Sequence, residues 1–168
     1  MSQAPPIRVE VDGSRQHLED AARIWAEATA VRDRESEIAP LALSREVIRA
    51  ALDGSPRSLL LVALDESECA LGFVAAVPRP ASGGDAKPVE LTHVGVDPAV
   101  WGGGVGSTLL RSTADALRAE GFSRAFLEVY EDNERAVGLY ERLGWRPTGA
   151  VHPHPRSGRA LRDFTLEL

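Results

Sequence analysis

Cysteine is almost absent from this chain, and its scarcity excludes two kinds of site. Cys69 is the only cysteine among 168 residues, so the chain can form no internal disulfide. A metal centre built on several thiolates is excluded for the same reason. The disulfide-stapled class of small secreted proteins therefore does not apply, and the composition fits a reducing compartment.

Long apolar segments and an excess of basic residues are also missing. The longest apolar runs, LLLVAL at 59–64 and LGFVAAV at 71–77, have the length of strands and are far too short to span a bilayer. The chain has 19 basic and 25 acidic residues, a formal net charge of −6. It therefore lacks the basic face that binding to nucleic acid or an anionic membrane requires. The opening MSQAPPIRVE lacks the layout of a secretory signal, so we expect a cytoplasmic protein.

Hydrophobic periodicity and turn residues divide the chain into eleven elements in the order β, α, α, β, β, β, α, β, α, β, β. Alternating or continuous apolar stretches predict strands at 7–11, 58–65, 70–78, 89–96 and 123–130, with two more in the C-terminal tail. Helical spacing predicts helices over 17–31, over about 104–120 and over 133–143. A further short helix is predicted from an N-cap at Ser44 to Leu52. RPASGGDAKP at 79–88 predicts a loop. We therefore predict a single α/β domain over 1–168, with a mixed sheet and helices on its faces.

Four glycines within five positions stand directly before the third predicted helix. The stretch WGGGVGSTLL (101–110) follows a strand, and its glycines leave backbone N–H groups open because no Cβ shields them. Free amides and the dipole at a helix N-terminus favour an anion such as a phosphate. The spacing fits neither the Walker sequence GxxxxGK[ST] nor the dinucleotide sequence GxGxxG. A tight strand-to-helix turn without a ligand is the alternative.

Two segments in the second half resemble the GNAT superfamily of N-acetyltransferases. VGVDPAVWGGGVGSTLL (94–110) resembles its acetyl-CoA-binding segment, in which a strand and Asp-Pro precede [Gln/Arg]-x-x-Gly-x-[Gly/Ala] and a helix. LEVYEDNERAVGLYERLGW (127–145) resembles its second segment, where a strand, Asn, Ala and Leu-Tyr-x-x-Leu-Gly-[Phe/Trp] recur in order. The resemblance covers essentially the whole chain. One departure is Trp101, which stands where the family has Gln or Arg and removes a polar side chain near the pyrophosphate.

The resemblance implies a fold, an activity and a co-substrate. The implied fold is a central mixed, mostly antiparallel sheet of six to seven strands flanked by about four helices. The implied activity is that of an acyltransferase that moves an acetyl group from acetyl-CoA to a primary amine by direct attack in a ternary complex, without a metal. The acceptor would be a small-molecule amine or a protein amino group, and a homodimer is common among relatives. A non-catalytic acyl-CoA-binding sensor and a nucleotide-binding domain of another kind are the competing functions.

The resemblance also implies the site residues. For cofactor binding they are Val94, Gly95, Val96, Gly102, Gly103, Gly104, Val105, Gly106, Ser107 and Asn133. Tyr140 would be the general acid that protonates the thiolate of coenzyme A, and Asn133 also fits a plain helix N-cap. Glu128 matches the base of the ribosomal-protein N-terminal acetyltransferases of this superfamily. Glu90, His93 and a water chain are the alternatives for the base.

Two further clusters have a functional and a structural interpretation. His152 and His154 in VHPHPRSG look like a metal pair, yet the flanking prolines and the lack of another His or Cys nearby predict an exposed loop and no metal. Asp33, Glu35 and Glu37 in RDRESEIAP would favour a cationic acceptor if they faced the cleft. Charge runs of this kind are usually solvated loops.

Overall fold

In the computed structural model, which describes residues 6–80 and 87–168, seven strands form one sheet and four helices pack on its faces. The helices are α1 (Leu18–Asp33), α2 (Leu41–Leu52), α3 (Val105–Ala119) and α4 (Glu134–Arg142). The strands are β1 (Arg8–Val11), β2 (Leu59–Leu64), β3 (Ala70–Pro78), β4 (Pro88–Val96), β5 (Arg124–Tyr130), β6 (Arg146–Pro153) and β7 (Ala160–Glu167). This is the predicted order of elements. Most of the loop predicted at 79–88 lies outside the described residues.

The strand order in the sheet is β1-β2-β3-β4-β5-β7-β6. All neighbouring strands are antiparallel except β4 and β5, which are parallel. The predicted mixed, mostly antiparallel sheet with about four flanking helices is therefore confirmed. The single parallel pair lies in the middle of the sheet and is the place where the cleft described below opens.

Each face of the sheet has its own apolar core, because successive side chains of a strand point to opposite faces. On one face, Leu60, Val62 and Phe73 pack against Ile24 of α1 and Ile48 of α2. The other face packs on α3 and α4 through a larger set, which includes Leu61, Val74, Val89, Leu91, Leu109, Leu117, Leu127, Tyr140 and Phe164. The helices thus hold β4 and β5 from both sides of the sheet.

A β-bulge in β4 keeps its apolar residues on one face. Ala75 pairs with His93 and Ala76 pairs with Leu91, so Thr92 is an extra residue in the ladder. Before the bulge the odd-numbered residue Leu91 faces the core on the side of α3 and α4, and after the bulge the even-numbered residue Val94 faces the same core. The run VELTHVGV predicted the strand but not this bulge.

The second helix begins four residues earlier than predicted. Helix α2 starts at Leu41 directly after Pro40, and Ser44 is a buried residue of its inner face rather than its N-cap. Ser44, Ile48 and Leu52 follow one another at intervals of four and are all buried. The prediction of a cap at Ser44 was wrong because packing against the sheet, not capping, placed this serine.

Among the described residues, no helix combines the length and the apolar composition needed to cross a membrane.

Candidate active site

The parallel strands β4 and β5 pair over only three residues and then separate. The paired stretch is Pro88–Glu90 with Arg124–Phe126. Pairing ends two residues before the bulge at Thr92. The separated ends of the two strands, α1, the glycine loop and α4 enclose a cleft of about 1580 Å³. A ligand of extended shape can therefore reach the middle of the sheet.

The edge of β4 that faces the gap carries free backbone groups. The N–H of Asp97 donates to the carbonyl of Leu71 at 2.8 Å, so the backbone groups of Asp97 and Gly95 point toward β3. Backbone N–H and C=O groups of successive residues in a strand point to opposite edges, so those of Val94 and Val96 point away from β3 and into the gap. The indole N–H of Trp101 donates to the Val96 carbonyl at 2.8 Å. The free edge of β4 thus offers both groups of Val94 and the N–H of Val96.

Gly95 was predicted among the cofactor-binding residues, and its backbone groups face β3 instead of the gap. It lines the cleft, but a Cβ at this position would lie 2.7 Å from Cε1 of Phe73 and 3.2 Å from Cγ2 of Ile24. The absence of a side chain lets α1 approach β4 closely. Gly95 is therefore a packing residue of the cleft wall.

The glycine loop presents several unbonded amides at the start of α3. Gly102 and Gly104 have φ of +86° and +85°, in the left-handed region that disfavours side chains. Within the described parts of the chain, no acceptor meets the backbone N–H groups of Gly102, Gly104, Val105, Gly106 and Ser107. All five residues line the cleft. The arrangement suits an anion at a helix N-terminus.

Gly103 and Asn133 have local roles in their turns. The N–H of Gly103 donates to the Val100 carbonyl at 3.2 Å, and Gly103 does not line the cleft. The side chain of Asn133 accepts from the N–H of Ala136 at 3.3 Å, so it is the N-cap of α4. Asn133 also lines the cleft, and the two roles are compatible.

Tyr140 reaches the cleft from α4 and is otherwise buried. Its ring packs edge-on to Trp145 and tilted to Phe164, and the residue is 8% exposed. Burial raises the pKa of its hydroxyl to about 12. The hydroxyl therefore holds its proton at neutral pH, and Tyr140 lines the cleft.

Glu128 lies in the cleft wall, where His152 of β6 contacts it. Nε2 of His152 is 3.2 Å from Oε1 of Glu128, and Nδ1 of the same ring is 3.7 Å from Oδ1 of Asp163. The imidazole thus stands between two carboxylates from β5 and β7. The prediction that His152 belongs to an exposed loop was wrong, because β6 extends through Pro153 and pairs His152 with Leu161.

His154 does not pair with His152. Its Nδ1 accepts from the backbone N–H groups of Arg156 and Ser157 at 3.1 and 3.2 Å, and so closes the β6–β7 turn.

The two alternative bases on β4 are engaged elsewhere. Glu90 is 3.2 Å from Nη2 of Arg79. His93 packs against the ring of Trp25, with ring centroids 4.9 Å apart. Burial lowers the pKa of His93 to about 4, although the nearby charge of Glu90 opposes the shift. His93 is therefore a neutral packing residue at neutral pH.

A cluster of arginines and aspartates closes the other end of the cleft, and sequence reasoning missed it. The guanidinium of Arg159 lies 3.8 Å from the centroid of the Tyr130 ring. It also contacts Asp33 and Asp132, each at 2.8 Å. Arg32 and Arg159 lower the pKa of the Asp33 carboxyl, Arg32 having the larger effect. Because Asp33 is paired, it is not a free acidic group for a cationic acceptor.

The comparisons with known proteins agree with this geometry. The sequence model of the acetyltransferase (GNAT) family matches residues 18–145. The chain therefore belongs to the acetyltransferase (GNAT) family, and the resemblance seen in two motifs is confirmed.

Relatives and a solved structure show how far the likeness extends. The chain is 41% identical over 91 residues to phosphinothricin N-acetyltransferase of Streptomyces coelicolor, covering 54% of this chain and 53% of that relative. It is 44% identical over 68 residues to a mycothiol acetyltransferase of Beutenbergia cavernae, covering 40% of this chain and 23% of that relative. The chain thus spans about half or less of the length of these relatives. A chain of the NatC complex bound to Gag peptide and CoA superimposes with a TM-score of 0.73 at 18% identity, covering 96% of this chain and 98% of that chain, and this shows the fold alone.

Proposed function

We propose that this protein is an N-acetyltransferase that moves the acetyl group of acetyl-CoA directly to a primary amine in a ternary complex. One observation carries the proposal: a single cleft is lined by the residues with unbonded amides at the start of α3, by Val94 and Val96 of β4 and by Tyr140. Membership in the acetyltransferase family supports the same activity.

The residues of the cleft fit coenzyme A in chemical type. The five amides of the glycine loop fit a diphosphate, because they are donors that no group of the described chain uses. The free groups of Val94 and Val96 fit the amides of a pantetheine arm, since they can pair with them as a neighbouring strand would. Acetyl-CoA supplies the acetyl group as a thioester.

Three actions of the chain's own residues complete the transfer. A backbone N–H on the free edge of β4 donates to the thioester carbonyl oxygen and stabilises the negative charge that develops there. Glu128 accepts a proton from the incoming ammonium group, and the nitrogen then bonds to the acetyl carbon as the carbon–sulfur bond breaks. Tyr140 donates its hydroxyl proton to the departing thiolate and regains a proton from the nitrogen, which loses its second N–H proton on becoming an amide, while Glu128 releases its proton to solvent. The products are an amide and the free thiol of coenzyme A.

The function is tested by thermal unfolding with acetyl-CoA, ATP and NAD, followed by thiol release across a panel of amines. Ligand at about a hundred times its dissociation constant adds about 2.7 kcal/mol to the free energy of unfolding. We expect a rise in Tm with acetyl-CoA alone and thiol release with at least one amine. A rise without release from any amine would favour the acyl-CoA sensor, and no rise with acetyl-CoA would contradict both functions.

A matched pair of glycine variants locates the binding site. Gly104 and Gly121 have φ of +85° and +89°, and a Cβ at either position would meet nothing within 4 Å. Ala at each position therefore introduces similar backbone strain, but only Gly104 lines the cleft. We expect Gly104→Ala to reduce the rise in Tm with acetyl-CoA and Gly121→Ala to leave it unchanged. Equal effects of the two variants would contradict a cofactor site at this loop.

A further inference from the structure

We propose that Arg135, held against Trp101 beside the glycine loop, supplies to the diphosphate of coenzyme A the side-chain contact that position 101 itself lacks. The inference rests on the proposed function, because it presupposes that the cleft binds coenzyme A. It addresses the departure at Trp101, where the family has a glutamine or an arginine.

Trp101 is fixed between the end of β4 and the loop. Its indole N–H donates to the Val96 carbonyl at 2.8 Å, which holds the ring at the mouth of the cleft. The ring face carries the guanidinium of Arg135, whose Cζ lies 4.9 Å from the ring centroid. A planar cation on an indole face is a favourable contact. The tryptophan therefore orients a charge that comes from α4.

The guanidinium stands directly beside the loop. An ideal Cβ at Gly102 would lie 4.0 Å from Nη2 of Arg135, and both residues line the cleft. Gly102 is the first of the five loop residues whose amides are unbonded. A phosphate bound by these amides would lie within reach of the arginine, whose planar set of N–H donors suits phosphate oxygens.

The surroundings of Arg135 leave its charge unbalanced. Arg32 and Arg159 at the other end of the cleft each contact Asp33, whereas Arg135 has no carboxylate within 4.0 Å in the described residues 6–80 and 87–168. Arg135 also lies in the first turn of α4, where the helix dipole disfavours a cation. An unpaired cation in this position, next to unused amide donors, indicates an anion that comes from outside the chain.

The test is the affinity of the purified protein for coenzyme A and for 3′-dephospho-coenzyme A, measured by titration calorimetry. We expect Arg135→Gln to raise Kd about tenfold for both ligands, because one charge-assisted contact to the diphosphate is lost and both ligands retain that group. Its Kd should also depend less steeply on ionic strength than that of the wild type. Tm without ligand should change little, because Arg135 is exposed and loses only its contact with the Trp101 ring.

Two further variants separate this role from a general loss of charge. Arg118→Gln removes an exposed arginine in the last turn of α3, far from the loop, and should leave both Kd values unchanged. Trp101→Leu should weaken binding, and adding Arg135→Gln to it should cost much less than tenfold, because the two side chains act as one unit.

The binding results that would contradict the role of Arg135 can be told apart from those that would contradict the proposed function. A Kd of Arg135→Gln within twofold of the wild type would overturn this inference and leave the proposed function standing. A penalty that vanishes with 3′-dephospho-coenzyme A would assign Arg135 to the 3′-phosphate and overturn the diphosphate contact. A wild type that binds neither ligand would remove the proposed function and this inference together.

Discussion

At the scale of single residues, burial keeps both Tyr140 and His93 neutral over the pH range in which most enzymes work. It raises the pKa of Tyr140 to about 12 and lowers the pKa of His93 to about 4, because poorly hydrated surroundings disfavour the charged form of either group. Tyr140 thus keeps a proton to donate, and His93 is a poor proton acceptor. Glu128, which lines the cleft and contacts His152, is the base in the proposed function.

Replacing Tyr140 by phenylalanine removes the proposed acid and little else. We expect Tyr140→Phe to lower kcat about a hundredfold while Kd for acetyl-CoA changes less than twofold. Because the pKa of Tyr140 is about 12, wild-type kcat should show no fall with an apparent pKa near 10. Steady-state kinetics from pH 6 to 10.5 and calorimetry check both points. Glu128→Gln is the comparison, which should lower kcat because it removes the proposed base. Equal losses of kcat and affinity in Tyr140→Phe would contradict its role as the acid.

His93 should make the fold sensitive to acid. Its pKa is about 4 in the folded protein and about 6.5 when exposed, so the unfolded chain binds more protons between these values. Its contribution to the free energy of unfolding is therefore complete above pH 6.5 and decreases as the pH falls toward 4. The total decrease is at most about 3 kcal/mol. His93→Leu should flatten this dependence in urea unfolding at pH 7.5 and 4.5. If the free energy of unfolding of His93→Leu fell with pH as steeply as that of the wild type, other groups would cause the acid sensitivity.

At the scale of elements, the cleft depends on how β4 meets its neighbours. It pairs with β3 along its length, pairs with β5 only as far as Glu90, and shifts register at Thr92. Beyond this point α1 packs on one face of β4, and the glycine loop and α3 follow its end. The cleft thus opens because the β4–β5 ladder ends at Glu90 while the β3–β4 ladder continues to Val96.

Close packing of α1 on β4 predicts that Gly95 tolerates no side chain. Its Cβ would lie 2.7 Å from Cε1 of Phe73 in β3 and 3.2 Å from Cγ2 of Ile24 in α1, so the ring and the helix would both have to shift. We expect Gly95→Ala to lower the free energy of unfolding by about 1–3 kcal/mol in urea titrations. Gly13→Ala is the control, because a Cβ there meets nothing within 4 Å and the change should be near neutral. Equal stability of both variants would show that β4 and α1 adjust without cost.

At the scale of the whole molecule, two parts of the sheet meet at a narrow junction. Strands β1–β4 and strands β5, β7 and β6 are joined in the sheet by the three pairs of the β4–β5 ladder. The shared core under α3 and α4 joins them on one face. On the other face, Arg159 of the β6–β7 turn contacts Asp33 at the end of α1. This contact bridges the open end of the cleft.

The contact between Arg159 and Asp33 lies at the end of the cleft away from the glycine loop, where we expect the acceptor amine to enter, so it should matter more for the amine than for acetyl-CoA. We expect Arg159→Met to lower the free energy of unfolding by about 1 kcal/mol, since it removes the partly buried ion pair with Asp33, the exposed pair with Asp132 and the contact with Tyr130. Kd for acetyl-CoA should stay the same while KM for the amine rises. Arg124→Met removes an exposed pair with Glu167 and should change none of these quantities. A weaker Kd for acetyl-CoA in Arg159→Met would show that the bridge holds the whole cleft.

The order of elements, the family and the glycine loop could be predicted from the sequence, because each depends on neighbours along the chain. Periodicity gives the strands and helices, and WGGGVGSTLL is itself the loop that carries the free amides. The start of α2 was missed because Ser44 has the chemistry of a cap, and only its burial on the sheet shows otherwise. His152 was placed in a loop because prolines flank it, although an edge strand tolerates them.

Only the tertiary structure decided which distant side chains meet in the cleft. Arg135 reaches Trp101 across 34 positions of sequence, and Arg159 reaches Asp33 across 126. Neither pairing has a sequence pattern, because the strand order that places β5, β7 and β6 side by side is set by packing over the whole sheet. Sequence thus determined the local elements and the family, while the charge beside the loop and the partner of Glu128 followed from the fold.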